Sequence, residues 1–156
     1  MTRAVVFAYH NVGVECLKVL LKHKIDVALV LTHADNPAEL IWFDSVAKLC
    51  TERGIQAITP DDANTPEIIE RIRTPKPDFL FSFYYRNMLT QAVLDTAKLG
   101  ALNMHGSLLP KYRGRVPINW AVINGERETG ATLHYMTAKP DAGDIVGQQA
   151  VAIGPD

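Results

Sequence analysis

The sequence predicts an α/β fold, with a doubly wound and mostly parallel sheet, helices on both faces, and an antiparallel hairpin near the C-terminus. Three observations carry this reading. Apolar runs rich in β-branched and aromatic residues recur at 4–9 (AVVFAY), 26–32 (DVALVLT) and 78–85 (DFLFSFYY), as strands buried on both faces require. Segments with apolar residues at helical spacing separate them. Two further strand-like stretches, 130–136 and 145–153, then follow each other with no helix between.

Taken in order, residues 4–9 form the first strand, and helical spacing from 14 to 21 extends to about 23. Residues 26–32 are the second strand. A helix over 43–53 is stopped by Gly54, and a weak strand covers 55–58. Thr65 before Pro66 and Glu67 reads as an N-cap with proline at the first helical position, opening a helix to about Arg73. Residues 78–85 are the strongest strand. A helix over 90–98 closes at Gly100, and 101–104 is a short strand. Residues 118–123 precede the turn signal Asn124-Gly125, and residues 137–144 join the two last strands as a hairpin at the sheet edge. Strands alternating with helices imply βαβ units with right-handed crossovers, hence a Rossmann-like sheet.

The chain has 156 residues, close to the commonest size of one domain, so a single core is expected. Sixteen basic residues against 17 acidic ones leave it near neutral, without the basic excess of a nucleic-acid or anionic-membrane binder. Cys16 and Cys50 lie in helix-like apolar patterns without paired or zinc-like spacing, so they read as buried free thiols in a reducing compartment. Met1-Thr2-Arg3 runs into a strand with no signal-peptide region, and no apolar run reaches the roughly 20 residues that span a bilayer. The expectation is a cytoplasmic protein with no membrane insertion. The chain stops at Gly154-Pro155-Asp156, where a helix would begin, so a longer parent is expected.

In such a sheet ligands bind beyond the carboxyl ends of the strands. The first of these loops, Tyr9-His10-Asn11-Val12-Gly13, has one glycine where a dinucleotide site needs three as GxGxxG, and no GxxxxGK[ST] phosphate loop exists. The richest loop is Asn103-Met104-His105-Gly106-Ser107-Leu108-Leu109-Pro110, directly beyond an apolar strand. Residues two apart in an extended segment project to one side, so Asn103 and His105 share a face. An amide donor beside an imidazole suits acyl transfer: one stabilises an oxyanion, the other moves a proton. His10, His23, His33 and His134 have no such company and read as structural. Asp141, in Lys139-Pro140-Asp141-Ala142-Gly143-Asp144, is open between turn chemistry and a carboxylate that favours the protonated form of His105. Lys111, Arg113 and Arg115 are likewise open between a solvated basic loop and neutralising a diphosphate. Tyr84 and Tyr85 are open between core and cleft border.

The run from Asn103 to Gly114, NMHGSLLPKYRG, followed by Asp141-Ala142-Gly143-Asp144, resembles the signature of the folate-dependent formyltransferases, and the resemblance spans essentially the whole chain. It implies Asn103 as oxyanion stabiliser, His105 as proton donor or shuttle and Asp141 as the carboxylate that holds His105 protonated. It also implies a site for 10-formyl-tetrahydrofolate as co-substrate, with no metal. The folate site would consist of the main chain at Asn87, Met88 and Leu89 together with Arg115, Thr137, Ala138, Lys139, Pro140 and Asp141. The residues FAYH at 7–10, THADNP at 32–37, FSFYYR at 81–86 and KYRGR at 111–115 are most similar to the polymyxin-resistance branch of that family, which modifies lipid A precursors. That branch formylates UDP-4-amino-4-deoxy-L-arabinose, which implies an amino-sugar nucleotide as small-molecule partner.

The resemblance implies that residues 1–156 are an N-terminal formyltransferase catalytic domain, expected to be truncated, with C-terminal helices and a β-barrel domain lying outside it. Methionyl-tRNA formyltransferases carry a Lys- and Arg-rich insertion after the second strand. Residues 33–46 here hold Asp35, Glu39 and Asp44 and no Lys or Arg, so no nucleic-acid partner is expected. A formyl-tetrahydrofolate hydrolase and a non-catalytic folate-binding module remain the readings from other classes, and a homo-oligomer is left open.

Overall fold

The apolar runs become strands of the first of two compact units, Met1–Ala101 and Leu102–Asp156. The computed structural model describes residues 1–38, 41, 44–114, 117–137 and 143–153. In the first unit β1 (Arg3–Ala8), β2 (Asp26–Leu31), β3 (Ala57–Ile58) and β4 (Phe79–Phe83) pair in parallel in the order β3-β2-β1-β4. Residues 4–8 of β1 are completely buried, which is why that segment carries no polar side chain. The helices are α1 (His10–Lys22), α2 (Val46–Arg53), α3 (Pro66–Arg73) and α4 (Gln91–Leu94). The order reverses between β1 and β4. Right-handed crossovers then put α1 and α2 on one face and α3 on the other.

Several boundaries differ from the sequence expectation for identifiable reasons. Helix α1 starts at His10 rather than near 14, because the Tyr9 carbonyl already accepts from Gly13 N at 3.0 Å. Helix α2 starts at Val46, where the Ser45 hydroxyl accepts from Lys48 N and caps the first turn. Thr65 caps α3 as expected, accepting from Ile68 N. The helix expected over 90–98 shrinks to Gln91–Leu94. Its last amides turn away from the helix: Lys98 N donates to Pro77 O and Leu99 N to Asp78 O. Strand β4 ends at Phe83 because Tyr84 adopts a left-handed backbone with φ 61°. Cys50 is buried and Cys16 half-buried, both as free thiols, and burial pushes both up to about 11.

In the second unit, β5 (Gly100–His105), β6 (Glu128–Tyr135) and β7 (Ile145–Ala152) form consecutive antiparallel pairs, with α5 (Pro117–Ile123) between β5 and β6. Strand β5 extends one residue beyond the expected end and takes in His105. The register sets Asn103 opposite His134 and His105 opposite Thr132. The chain thus has the expected α/β, Rossmann-like class, with parallel strands first and an antiparallel hairpin last. No helix among the described residues is long and apolar enough to cross a membrane.

Gly13, the only glycine of the first loop, serves helix–strand approach. A Cβ there would meet Ala8 C and Cβ at 3.1 Å and Val46 Cγ2 at 3.2 Å. Gly13→Val should therefore overpack a closed contact and destabilise by about 2 kcal/mol, read as a lower urea midpoint at unchanged slope. A midpoint equal to the parent's would show that α1 can move away from β1.

Candidate active site

The site residues on β5 come from strand alternation. Asn103 and His105 lie two apart on one face, and that face of β6 supplies His134 and Thr132 opposite them. His134 is 2% exposed and His105 is 7% exposed. The Tyr135 carbonyl can only accept, so the His134 Nδ1–H donates to it at 3.0 Å. That leaves the Nε2 lone pair to accept from the Asn103 amide Nδ2 at 3.2 Å. The bond fixes which way the Asn103 amide points, with its second Nδ2 hydrogen directed elsewhere. By the same logic the His105 Nε2–H donates to the Tyr112 carbonyl at 2.7 Å, which holds the imidazole plane.

Tyr112 is itself anchored. Its hydroxyl donates to Glu126 Oε1 at 2.9 Å and accepts from Asn124 Nδ2 at 3.3 Å, and its backbone is left-handed with φ 56°. The loop between His105 and Tyr112 is tied down by Thr132, which is fully buried. The Thr132 hydroxyl donates to Ser107 O at 2.7 Å and accepts from Leu109 N and Gln148 Nε2, both at 3.0 Å. One donor and two lone pairs are all used. The second Gln148 Nε2 hydrogen goes to Leu109 O at 2.9 Å, and Ser107 Oγ donates to Lys111 O at 2.5 Å. Lys111 and Arg113 are exposed.

The first unit has its own cluster at the strand-order reversal, beyond the carboxyl ends of β1, β2 and β4. The His33 ring stacks on Tyr85 with centroids 4.3 Å apart and 17° between planes, and meets Tyr9 edge-on at 5.2 Å. The Arg86 guanidinium lies 4.8 Å from the Tyr9 centroid, and Tyr9 OH donates to Asp35 Oδ1 at 2.9 Å. His10, with φ 66°, and Tyr84 lie ring against ring at 4.9 Å. Burial, and then the Arg86 charge, hold both His10 and His33 below the usual histidine range. Burial, and then the Asp62 carboxylate, push Tyr85 up to about 12. Tyr84 is 47% exposed, so it borders solvent rather than core.

The loop that follows, Arg86 to Thr90, is held by side chains. Arg86 N donates to His33 Nε2 at 2.9 Å. Asn64 Nδ2 donates to Met88 O at 3.0 Å, and Thr90 N donates to Asn64 Oδ1 at 2.8 Å. Leu89 is buried, whereas Asn87 and Met88 are exposed.

Of the residues singled out from sequence, Asn103 and His105 share a face as expected, and Asn87, Met88 and Leu89 form one braced loop. Thr137 is exposed. Arg115, Ala138, Lys139, Pro140 and Asp141 lie outside the described residues. The sequence reading missed His134, His33, Asn64 and Thr132. A polar residue alternating into a buried strand, as His134 does in ETGATLHY, was the available signal.

Residues 3–156 match a family model described as Formyl transferase. Among solved structures, the chain is similar to phosphoribosylglycinamide formyltransferase from Bacillus halodurans, with a TM-score of 0.82 and 23% identity over 99% of this chain and 82% of that one. It is similar to glycinamide ribonucleotide transformylase 1 from Geobacillus kaustophilus, with a TM-score of 0.80 and 25% identity over 99% and 85% of the two chains. An N-formyltransferase from Helicobacter canadensis, in complex with folinic acid and dTDP-3-aminofucose, matches with a TM-score of 0.70 and 25% identity. That match covers 98% of this chain and 54% of the other, so this chain spans about half of that protein.

The Thr132 node gives a stability test. Thr132→Val keeps the shape and leaves the buried Leu109 N and Ser107 O short of a partner. Each unmet buried group costs about 1–3 kcal/mol, so a loss of at least about 2 kcal/mol in urea unfolding is expected. A near-neutral Thr132→Val protein would mean that water reaches these groups.

Proposed function

The chain belongs to the formyl transferase family, and from that premise we propose that it transfers the formyl group of 10-formyl-tetrahydrofolate to the amine of a UDP-linked amino sugar. The observation that carries the reading is the pairing on one face of the β5–β6 ladder: an amide whose direction His134 sets, beside an imidazole whose plane Tyr112 sets. The neutral amine attacks the formyl carbon, and the carbonyl oxygen takes up the negative charge. The Asn103 Nδ2–H stabilises that oxyanion. As the carbon–N10 bond breaks, the electron pair returns to the folate nitrogen, and the proton lost by the amine reaches it by way of His105. The products are the N-formylated sugar nucleotide and tetrahydrofolate. Asp141, whose charge favours the protonated ring, is proposed for that supporting role on the family resemblance alone.

The folate is proposed to sit on the main chain at Asn87, Met88 and Leu89, with Arg115 and residues 137–141 completing its site. A pterin edge alternates donors and acceptors, which suits exposed peptide groups held in fixed directions, and His33 and Asn64 give this loop that property. Lys111 and Arg113 are proposed to face the diphosphate.

The acceptor is chosen on the stretches FAYH, THADNP, FSFYYR and KYRGR, which are similar to the formyltransferase domain of the bifunctional polymyxin-resistance protein. The absence of Lys and Arg from residues 33–46 weighs against a tRNA acceptor. The solved transformylases above are similar at identities that carry the fold and not the acceptor.

Folate release should require the amine: protein and 10-formyl-tetrahydrofolate with UDP-4-amino-4-deoxy-L-arabinose should turn over, and omission of the sugar should stop it. Release without amine would make water the acceptor, and no release with any amine would leave a binding module. Loss of one oxyanion donor costs on the order of a hundredfold to a thousandfold in rate. Asn103→Ala and His105→Ala should each lose at least about a hundredfold in kcat while keeping the parent circular dichroism spectrum. A folded His105→Ala protein of near-normal turnover would refute the assignment.

A further inference from the structure

We propose that His33 is a positioning residue for the folate-bearing main chain, setting the 86–90 loop through a hydrogen bond that only the unprotonated ring nitrogen can make. The inference rests on the folate reading above and deepens it. The loop is braced at both ends. At its far end Asn64 holds Met88 O and Thr90 N, and an amide side chain does not titrate. At its near end the brace is an imidazole: Arg86 N donates to His33 Nε2 at 2.9 Å, which places the ring proton on Nδ1. The ring cannot swing aside, because Tyr85 stacks on its face and Tyr9 meets its edge.

The groups around His33 fix the sign of the effect. From the strand β4 side come the Arg86 cation and the Tyr85 phenol, with Asp62 acting on Tyr85. From the β1 side come Tyr9, which Arg86 overlies, and His10, which feels the same cation. From the β2 side comes Asp35, bonded to the Tyr9 hydroxyl. Tyr85, raised to about 12, stays protonated across the acid range. Burial and the Arg86 charge hold His33 below its ordinary value of 6.5. Above that value the ring is unprotonated and the brace is intact. As pH falls from 6.5 through the lowered folded-state value, Nε2 gains a proton, two donors face each other, and the Arg86 amide is released. His10 shifts in the same direction, so the variants must separate the two rings.

The test is calorimetric binding of folinic acid to the full chain between pH 7.5 and 5.0. The wild type should lose affinity by roughly fivefold to tenfold as pH falls, the worth of about one hydrogen bond. His33→Gln offers an amide oxygen near the Nε2 position without titrating, so its affinity should stay level over that range. His33→Phe keeps the stack and removes the acceptor, so it should bind weakly at every pH. An unchanged pH profile in His33→Gln would assign the effect to His10 or the ligand and overturn the proposal, as would wild-type affinity in His33→Phe. If folinic acid binds none of the proteins, the folate reading fails, and the Arg86 amide then decides the positioning by itself. Its 15N–1H resonance should titrate in the ligand-free wild type and not in His33→Gln; a signal that stays fixed in the wild type overturns the inference.

Discussion

The register of β5 against β6 is the constraint on which the candidate site depends. It sets Asn103 opposite His134 and His105 opposite Thr132, and it puts all four side chains on one face. Because side chains alternate with a period of two, a slip by one residue would send the whole set to the other face. The buried Thr132 hydroxyl makes that register costly to lose. It spends its donor and both lone pairs on Ser107, Leu109 and Gln148, so it ties the loop beyond β5 to the same alignment. That loop carries Tyr112, whose carbonyl holds His105. One pairing decision therefore orients both groups, the amide directly through His134 and the imidazole through the braced loop that carries Tyr112.

The first unit solves a related problem with different chemistry. At the reversal of strand order, where dinucleotide folds place glycines so that main chain can approach phosphate, this chain places rings. Gly13 is spent on close approach of α1 to β1, and Tyr9, His33 and Tyr85 fill the space beyond the strands. Desolvation there disfavours added charge, which is why the neighbouring histidines shift downward and the Tyr85 phenol upward. A loop held by His33 and Asn64 needs no glycine to keep its peptide groups in fixed directions.

Much of the fold was legible because its signals are local. Unbroken apolar runs mark strands buried on both faces, and Thr65-Pro66 marks a helix start, since each depends on residues adjacent in sequence. The helix expected over 90–98 failed for the opposite reason: Lys98 and Leu99 give their amides to Pro77 and Asp78, partners about twenty residues away that no local pattern reveals. The site divides the same way. Asn103 and His105 were legible because two residues on one strand share a face whatever the tertiary fold. His134 reads as structural from sequence alone, because its bond to Asn103 crosses a ladder whose register the sequence does not state. His33 and Arg86 are separated by 53 positions and Asn64 and Met88 by 24, so their bonds exist only once the sheet is assembled.

We propose that Asn103 acts on the formyl oxygen in the direction His134 imposes. This is tested most directly by a double-mutant cycle on kcat/KM for formyl transfer, using Asn103→Ala, His134→Phe and the combined variant. If the two residues act as one device, His134→Phe slows transfer in the presence of Asn103 and costs nothing further once Asn103 is gone. Losses that simply multiply would show that the amide finds its direction without His134, and would contradict the account.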